Sequence, residues 1–128
     1  MSFDIERAVQ HAKQFAKPQS IHKCAKFTRE AIAAGGISLA QTLKAKDYGT
    51  SLQQAGFHTV STTRKGDVVV IQGYPGNDYG HMAIYDGQNW ISDFVQSALY
   101  PGPGYRTHKP AYKIYRYCTT QSCGEGHG

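Results

Sequence analysis

The residues best suited to chemistry in this chain are a cysteine, Cys24, and a histidine, His81. A cysteine thiolate can attack a carbonyl carbon when a base removes the thiol proton and a third group orients that base. Asp93, which follows His81 in the sequence, is the candidate for the third group. Cys24, His81 and Asp93 therefore form a candidate catalytic set for chemistry at an acyl group.

Cys24 lies near the start of a predicted amphipathic helix. The inward face of this helix has the spacing i, i+3, i+4, i+7 and comprises Cys24, Phe27, Thr28 and Ala31. Ser20 is predicted to cap the helix, and Gly35-Gly36 to end it. The partial positive charge at a helix N-terminus favours the thiolate. The alternative is that Cys24 is a small buried core residue, the more common role of a cysteine on an apolar face.

His81 begins a predicted strand, 80–85, whose return strand is 89–94. A three-residue turn, Asp86-Gly87-Gln88, would pair His81 with Asp93 on one face, with Cβ atoms about 5 Å apart. Asp93 would then accept a hydrogen bond from the imidazole and fix its tautomer. A turn of two or four residues would place the two side chains on opposite faces. A strand-end histidine and an exposed acid on a hairpin remain the alternatives.

The elements that must position these residues change from helical to strand-like patterning at Phe57. Three helices are predicted before it: one capped by Ser2 and closed by Pro18, the Cys24 helix, and one between Asp47 and Gly56. The strands predicted after it are 57–61, 68–71, 80–85, 89–94 and 112–117, with 68–71 central and 112–117 at an edge. This order predicts a single α+β domain over residues 1–128, with the helices packed on one side of an antiparallel meander.

The charge of the chain limits the classes of partner. The 128 residues carry a net charge of +5, with a pI of about 9.2, which suits nucleic acid, an anionic membrane face or an acidic cell-wall polymer. The basic residues are scattered and form no nucleic-acid module, so nucleic acid is not the expected partner. No segment has the roughly 20 apolar residues of a membrane span, and residues 1–17 lack the features of a Sec signal peptide. Action outside the producing cell would therefore need another export route.

Two further cysteines, Cys118 and Cys123, lie in a polar C-terminal segment. They could form a small disulfide or remain free thiols. A zinc site that adds His127 is conceivable, but the spacing matches no standard zinc pattern. We therefore expect no cofactor or metal, and Cys24 is the cysteine left over as a possible reactive thiol.

Several motifs resemble the NlpC/P60 and CHAP cysteine amidases, which are papain-like peptidoglycan hydrolases. The resemblance extends from about Ser20 to Gln96, and its most specific parts are 65–70 (Lys-Gly-Asp-Val-Val-Val) and 79–87 (Tyr-Gly-His-Met-Ala-Ile-Tyr-Asp-Gly). It implies a papain-like fold in which Cys24 is the nucleophile, His81 the base and Asp93 the orienting residue. The chain departs from the family around the nucleophile, where residues 22–26 replace the common Asp-Cys-Ser-Gly surroundings.

The small size, basic charge and missing signal peptide are similar to those of type VI secretion amidase effectors. This resemblance implies a monomeric enzyme that cuts amide bonds of peptidoglycan stem peptides or cross-links in the periplasm or cell wall of a target bacterium. It also implies a cognate immunity protein as partner. A non-catalytic cell-wall binding module and a thiol acyltransferase or deamidase on the same fold remain alternatives.

Two details of the expected site also stay open. The Cys24 backbone N–H is expected to form part of the oxyanion hole, with a second donor from Gln19 or His22. Tyr48 and Tyr79 are candidates for the wall of the cleft, although plain packing is an equal possibility for each.

Overall fold

The computed structural model describes residues 3–118 and confirms the α+β class. The helices are α1 (Ile5–Phe15), α2 (Cys24–Ala34), α3 (Tyr48–Gln54), preceded by a 3₁₀ turn at Ala45–Asp47, and α4 (Pro103–His108). The strands are β1 (Phe57–Val60), β2 (Val68–Ile71), β3 (His81–Tyr85), β4 (Trp90–Ile91) and β5 (Tyr112–Tyr117). None of the described helices has the length and apolar character needed to cross a membrane.

Helix α1 begins two residues later than a cap at Ser2 would require. Asp4 occupies the cap position, and its Oδ1 accepts a hydrogen bond from the backbone N–H of Arg7 at 3.0 Å. This bond satisfies one of the free N–H groups of the first turn. Ser2 itself lies outside the described residues. The predicted end of the helix before Pro18 is confirmed.

The five strands form one antiparallel sheet in the order β1-β5-β2-β3-β4. Strand β2 is central, as its run of apolar β-branched residues predicts. Strand β5 pairs with both β1 and β2, so its predicted edge position is wrong and only β2-β3-β4 form a meander. The reason is that Ile114 and Tyr115, on opposite faces of β5, are both buried, which an edge strand with one solvated face would not need.

The sheet is covered on both faces. Helices α1, α2 and α3 pack on the face formed by Phe57, Val68, Val70, Met82, Ile84, Ile91 and Tyr115. The other face, with Val69, Ile71, Ala83, Trp90 and Ile114, packs against Tyr105 of α4 and the chain around it. The sequence predicted helices on one side only, because the Pro- and Gly-rich segment 101–104 was interpreted as an irregular link. This second layer brings Tyr105 towards His81.

A buried ion pair joins the start of β2 to β5. The guanidinium of Arg116 donates from Nε to Asp67 Oδ1 at 2.9 Å and from Nη2 to Asp67 Oδ2 at 2.8 Å. Asp67 Oδ2 also accepts the backbone N–H of Arg64 at 2.8 Å, which fixes the turn before β2. The paired geometry compensates two charges that would otherwise be costly to bury. The Asp of the Gly66-Asp67 motif therefore positions strands, not substrate.

Candidate active site

A cleft of about 1610 Å³ runs across the N-terminal end of α2 and the start of β3. Cys24 and His81 both line it, so the two candidate residues, which are distant in the sequence, face the same cleft. Tyr79, which is exposed, lines it as well, whereas Tyr48 borders the cleft but is only 1% exposed and packs in the main core, as the packing alternative predicted. Asp93 does not line the cleft and is completely buried behind it.

Cys24 is the first residue of α2, and its side chain is partly buried against the main core. The predicted cap at Ser20 is wrong, because Lys23 holds the cap position and provides no side-chain hydrogen bond. The hydroxyl of Ser20 instead accepts the backbone N–H of His22 at 3.3 Å. The predicted stop is confirmed, since Gly35 caps the C-terminus and Gly36 has a positive φ of 103°.

The turn before Cys24 is held by Asp93. Oδ2 of Asp93 accepts the backbone N–H of Ile21 at 2.8 Å and that of Lys23 at 2.9 Å. Between them His22 has a φ of 61°, a left-handed conformation that costs a residue other than glycine about 1–2 kcal/mol. Two N–H bonds to a buried carboxylate offset that cost. Asp93 therefore positions the backbone that leads into Cys24.

His81 takes its hydrogen-bonding partner from Gln96 and not from Asp93. Nε2 of His81 lies 2.7 Å from Oε1 of Gln96, and both side chains are buried. The amide nitrogen of Gln96 donates to the carbonyl oxygens of Ala98 at 3.0 Å and Leu99 at 3.1 Å. Because both amide hydrogens are used, the oxygen must face the imidazole and accept from it. The neutral ring therefore carries its proton on Nε2 and leaves Nδ1 as the basic nitrogen.

The observed hairpin register explains the change of partner. Tyr85 pairs with Trp90, so the turn contains four residues and the predicted pairing of His81 with Asp93 does not form. Strand β4 stops at Ile91, because the N–H of Ser92 donates to the carbonyl of Phe94 at 3.0 Å and closes a tight turn. This turn points Asp93 towards residues 21–23, which lead into α2. The chain that folds back along β4 then presents Gln96 to His81.

Burial keeps both reactive groups neutral in the resting site. The pKa of Cys24 is raised to about 11, chiefly by desolvation and to a smaller extent by the charge of Asp93, while backbone N–H groups of Met82, Ala25 and Cys24 itself act in the opposite direction. Burial lowers the pKa of His81, while the contact with Gln96 and the charge of Asp93 act against that shift. The predicted thiolate at the helix N-terminus is therefore wrong for the resting state, because desolvation outweighs the helix charge.

Tyr105, in α4, is part of the candidate site, although no pattern in the sequence had singled it out. Its ring centroid lies 5.8 Å from that of His81, and its hydroxyl accepts a hydrogen bond from Asn77 Nδ2 at 3.0 Å. Burial raises its pKa to about 12, so the hydroxyl keeps its proton at neutral pH. Tyr105 and Asn77 both line the cleft beside Cys24.

Of the two residues considered for the second oxyanion donor, only His22 lines the cleft. The N–H groups of Ile21 and Lys23 already donate to Asp93 and are not free for a substrate. Among residues 3–118, no group of His, Cys, Asp or Glu side chains could hold a metal ion. The suggested zinc site and the pairing of Cys118 with Cys123 depend on residues that lie outside the described part of the chain.

The comparisons with known proteins agree with this fold. The model of the NlpC/P60 family matches residues 15–119. The chain belongs to the NlpC/P60 family. This NlpC/P60 chain is similar to the matched chain in the crystal structure of the type VI native effector-immunity complex Tae3-Tai3 from Ralstonia pickettii. The two are 54% identical with a TM-score of 0.87, over 91% of this chain and 100% of that chain.

A second crystal structure of the Tae3-Tai3 complex from Ralstonia pickettii, with selenomethionine, matches at 55% identity and a TM-score of 0.82. The match covers 85% of this NlpC/P60 chain and 98% of the other. The crystal structure of Ly7917 shares the fold, with 17% identity and a TM-score of 0.53, over 86% of this chain and 61% of that one. None of the curated proteins compared with the chain matches it.

Proposed function

We propose that this NlpC/P60 protein is a cysteine-dependent peptidoglycan amidase that hydrolyses amide bonds in stem peptides or cross-links. The observation that supports it most directly is the cleft that is lined both by Cys24, at the first position of a helix, and by His81, whose tautomer is fixed by Gln96. The family match and the likeness to Tae3 support the same assignment.

The first half of the reaction forms a thioester. Nδ1 of His81 takes the proton of Cys24 Sγ as the sulfur attacks the amide carbonyl carbon, which makes a tetrahedral oxyanion. The imidazolium then gives that proton to the amide nitrogen, the C–N bond breaks, and the amine leaves. Since both groups rest neutral, the proton moves during the attack and not beforehand.

The second half releases the acyl group. His81 is neutral again and takes a proton from a water molecule while the water oxygen attacks the thioester carbon. Collapse of the second tetrahedral intermediate breaks the C–S bond, so a carboxylate is released and Cys24 regains a proton. The backbone N–H of Cys24 and the side chain of His22 are the donors that we assign to the oxyanion.

Gln96 and Asp93 support the reaction in different ways. Gln96 holds the Nε2 tautomer of His81 by direct contact. Asp93 acts on the nucleophile by holding Ile21 and Lys23, and its charge stabilises the imidazolium from a distance. We therefore assign Asp93 a positioning role in place of the predicted orientation of His81, with an electrostatic contribution retained.

We further propose that the protein is an antibacterial effector delivered by type VI secretion and neutralised by a cognate immunity protein. The support is the 54% identity to the matched chain of the Tae3-Tai3 effector-immunity complex. Such a protein would act in the periplasm or cell wall of the target bacterium.

Incubation with purified sacculi, followed by mass analysis of the released fragments, tests the proposal. The wild type is expected to release peptide fragments, and Cys24→Ala, Cys24→Ser and His81→Gln to lose at least about 1,000-fold in rate. Circular dichroism and thermal unfolding establish that each variant is folded. Release of fragments by folded Cys24→Ala would remove the nucleophile assignment. Binding of sacculi by the wild type with no cleavage would favour the binding module.

A further inference from the structure

Arg29 carries a charge in the cleft that no described residue compensates. It lies on α2 and lines the same cleft as Cys24. Its Nε is buried and has no hydrogen-bond partner among the residues that the structure describes. A charged donor without an acceptor is unfavourable in a protein interior, and a ligand that supplies an acceptor relieves that penalty.

The surroundings of Arg29 make this part of the cleft electropositive. Lys23 and Lys26 line it from the same end of α2. The acidic residue of the lining, Asp78, is already paired with Lys44 and, at 2.7 Å, with Lys46. An anionic ligand therefore meets unpaired cations here and little negative charge.

The distance along the helix indicates where the anion would sit. Arg29 follows Cys24 by five positions, which corresponds to about 7.5 Å along the axis at about 1.5 Å per residue. An extended peptide covers that distance in about two residues at about 3.3 Å each. Five positions also turn by about 140° around the helix axis, so this rise is the minimum separation, and a carboxylate about two or more residues from the scissile carbonyl can approach Arg29 while the carbonyl approaches Cys24.

We propose that Arg29 is a specificity residue that binds a free carboxylate of the substrate peptide, with Lys23 and Lys26 adding attraction at longer range. The planar guanidinium can donate two parallel hydrogen bonds to a carboxylate, which a carboxamide cannot match in charge. The inference rests on the proposed function, because it takes a peptide in the cleft as the ligand.

Calorimetric binding to the Cys24→Ala protein tests this inference without requiring catalysis. The probes are a peptidoglycan stem peptide with free carboxylates and the same peptide with these groups as carboxamides. The carboxylate form is expected to bind about 10- to 100-fold more tightly. In Cys24→Ala/Arg29→Gln the affinity for the carboxylate peptide should fall by that factor, while the weaker affinity for the carboxamide peptide stays within about twofold.

Two further variants keep the result interpretable. Arg29→Lys, which keeps the charge but not the planar fork, is expected to retain an intermediate preference. Arg7→Gln, an exposed arginine on α1 outside the cleft, should change neither affinity. Equal affinity for both peptides in the Cys24→Ala background, or a preference that survives Arg29→Gln, would overturn the inference. Failure of the wild type to cleave sacculi would instead count against the proposed hydrolysis, so the two failures are distinguishable.

Discussion

The amide oxygen of Gln96 accepts a hydrogen bond from Nε2 of His81 at 2.7 Å, and it does so without a charge. A neutral partner fixes the tautomer of the imidazole but stabilises the imidazolium less than a carboxylate would. Asp93 is the buried carboxylate that influences His81 electrostatically. Its Oδ2 accepts hydrogen bonds from the backbone before Cys24. Orientation of the base and positioning of the nucleophile are therefore separate tasks of separate residues.

Replacement of Gln96 is expected to act on the base. Gln96→Ala removes the acceptor of a buried ring N–H, so kcat/KM on peptidoglycan fragments should fall about 10- to 100-fold. Gln96→Glu places a negative charge at the same position and should move the acidic limb of the pH–rate profile to higher pH. Gln88, exposed in the β3–β4 turn, is the control, and Gln88→Glu should leave the profile unchanged. An unshifted limb in Gln96→Glu would contradict the assigned contact.

Replacement of Asp93 is expected to act on stability and nucleophile geometry together. Asp93→Asn keeps an oxygen but loses the charge, so the free energy of unfolding in urea should fall by about 1–3 kcal/mol. Activity should fall less than in His81→Ala. Asp86 is a matched control, because its Oδ1 also accepts two backbone N–H groups, from Gln88 and Asn89, but at the hairpin turn. Equal destabilisation by Asp86→Asn would argue against a special role for the buried carboxylate.

The pH dependence of kcat/KM should reflect two neutral reactive groups. His81 must be unprotonated to act as a base, and burial lowers its pKa from the ordinary 6.5, so activity should rise with pH and level off by neutrality. The pKa of the Cys24 thiol is about 11, so the plateau should extend well above pH 9. Iodoacetamide should alkylate Cys24 slowly at mildly acidic pH, with Cys24→Ala as background. A rise with a midpoint above pH 7 would contradict the lowered pKa of His81. Rapid labelling at pH 6 would show that a thiolate exists before substrate binds.

Gly80 should tolerate no side chain. Its φ is +70°, and a Cβ atom there would lie 2.3 Å from the carbonyl oxygen of Ile71 and 2.7 Å from Cβ of Lys46. Gly80→Ala must therefore displace the start of β3, and both the thermal unfolding temperature and the activity should fall. Gly76→Ala separates strain from clash, since Gly76 has a φ of +94° with no atom within 4 Å of the added Cβ. Similar losses in both variants would mean that backbone strain alone is responsible.

The elements of this fold could be predicted from local patterns, whereas its long-range pairings could not. The apolar run Val68–Ile71 and the Gly35-Gly36 stop are determined by neighbouring residues, and both were predicted correctly. The hairpin register depends on one residue in the turn, and the actual four-residue turn separates His81 from Asp93. Gln96 and Tyr105 reach the site through a turn and a short helix whose sequences carry no periodic signal. Burial, which no local pattern measures, reversed the expected direction of the Cys24 pKa.

The position of β5 in the sheet affects when the protein can complete its fold during synthesis. Its residues, 112–117, pair on one side with β1 and on the other with β2, so they join two parts of the sheet that do not otherwise pair. A nascent chain whose residues 112–117 are still inside the ribosome lacks this link. It also lacks Arg116, the partner of Asp67. Because such distant pairings form late, the sheet that supports the cleft cannot be completed before residues 112–117 are available to pair. A complete cleft therefore cannot exist in the cell that makes the protein until residues 112–117 have left the ribosome.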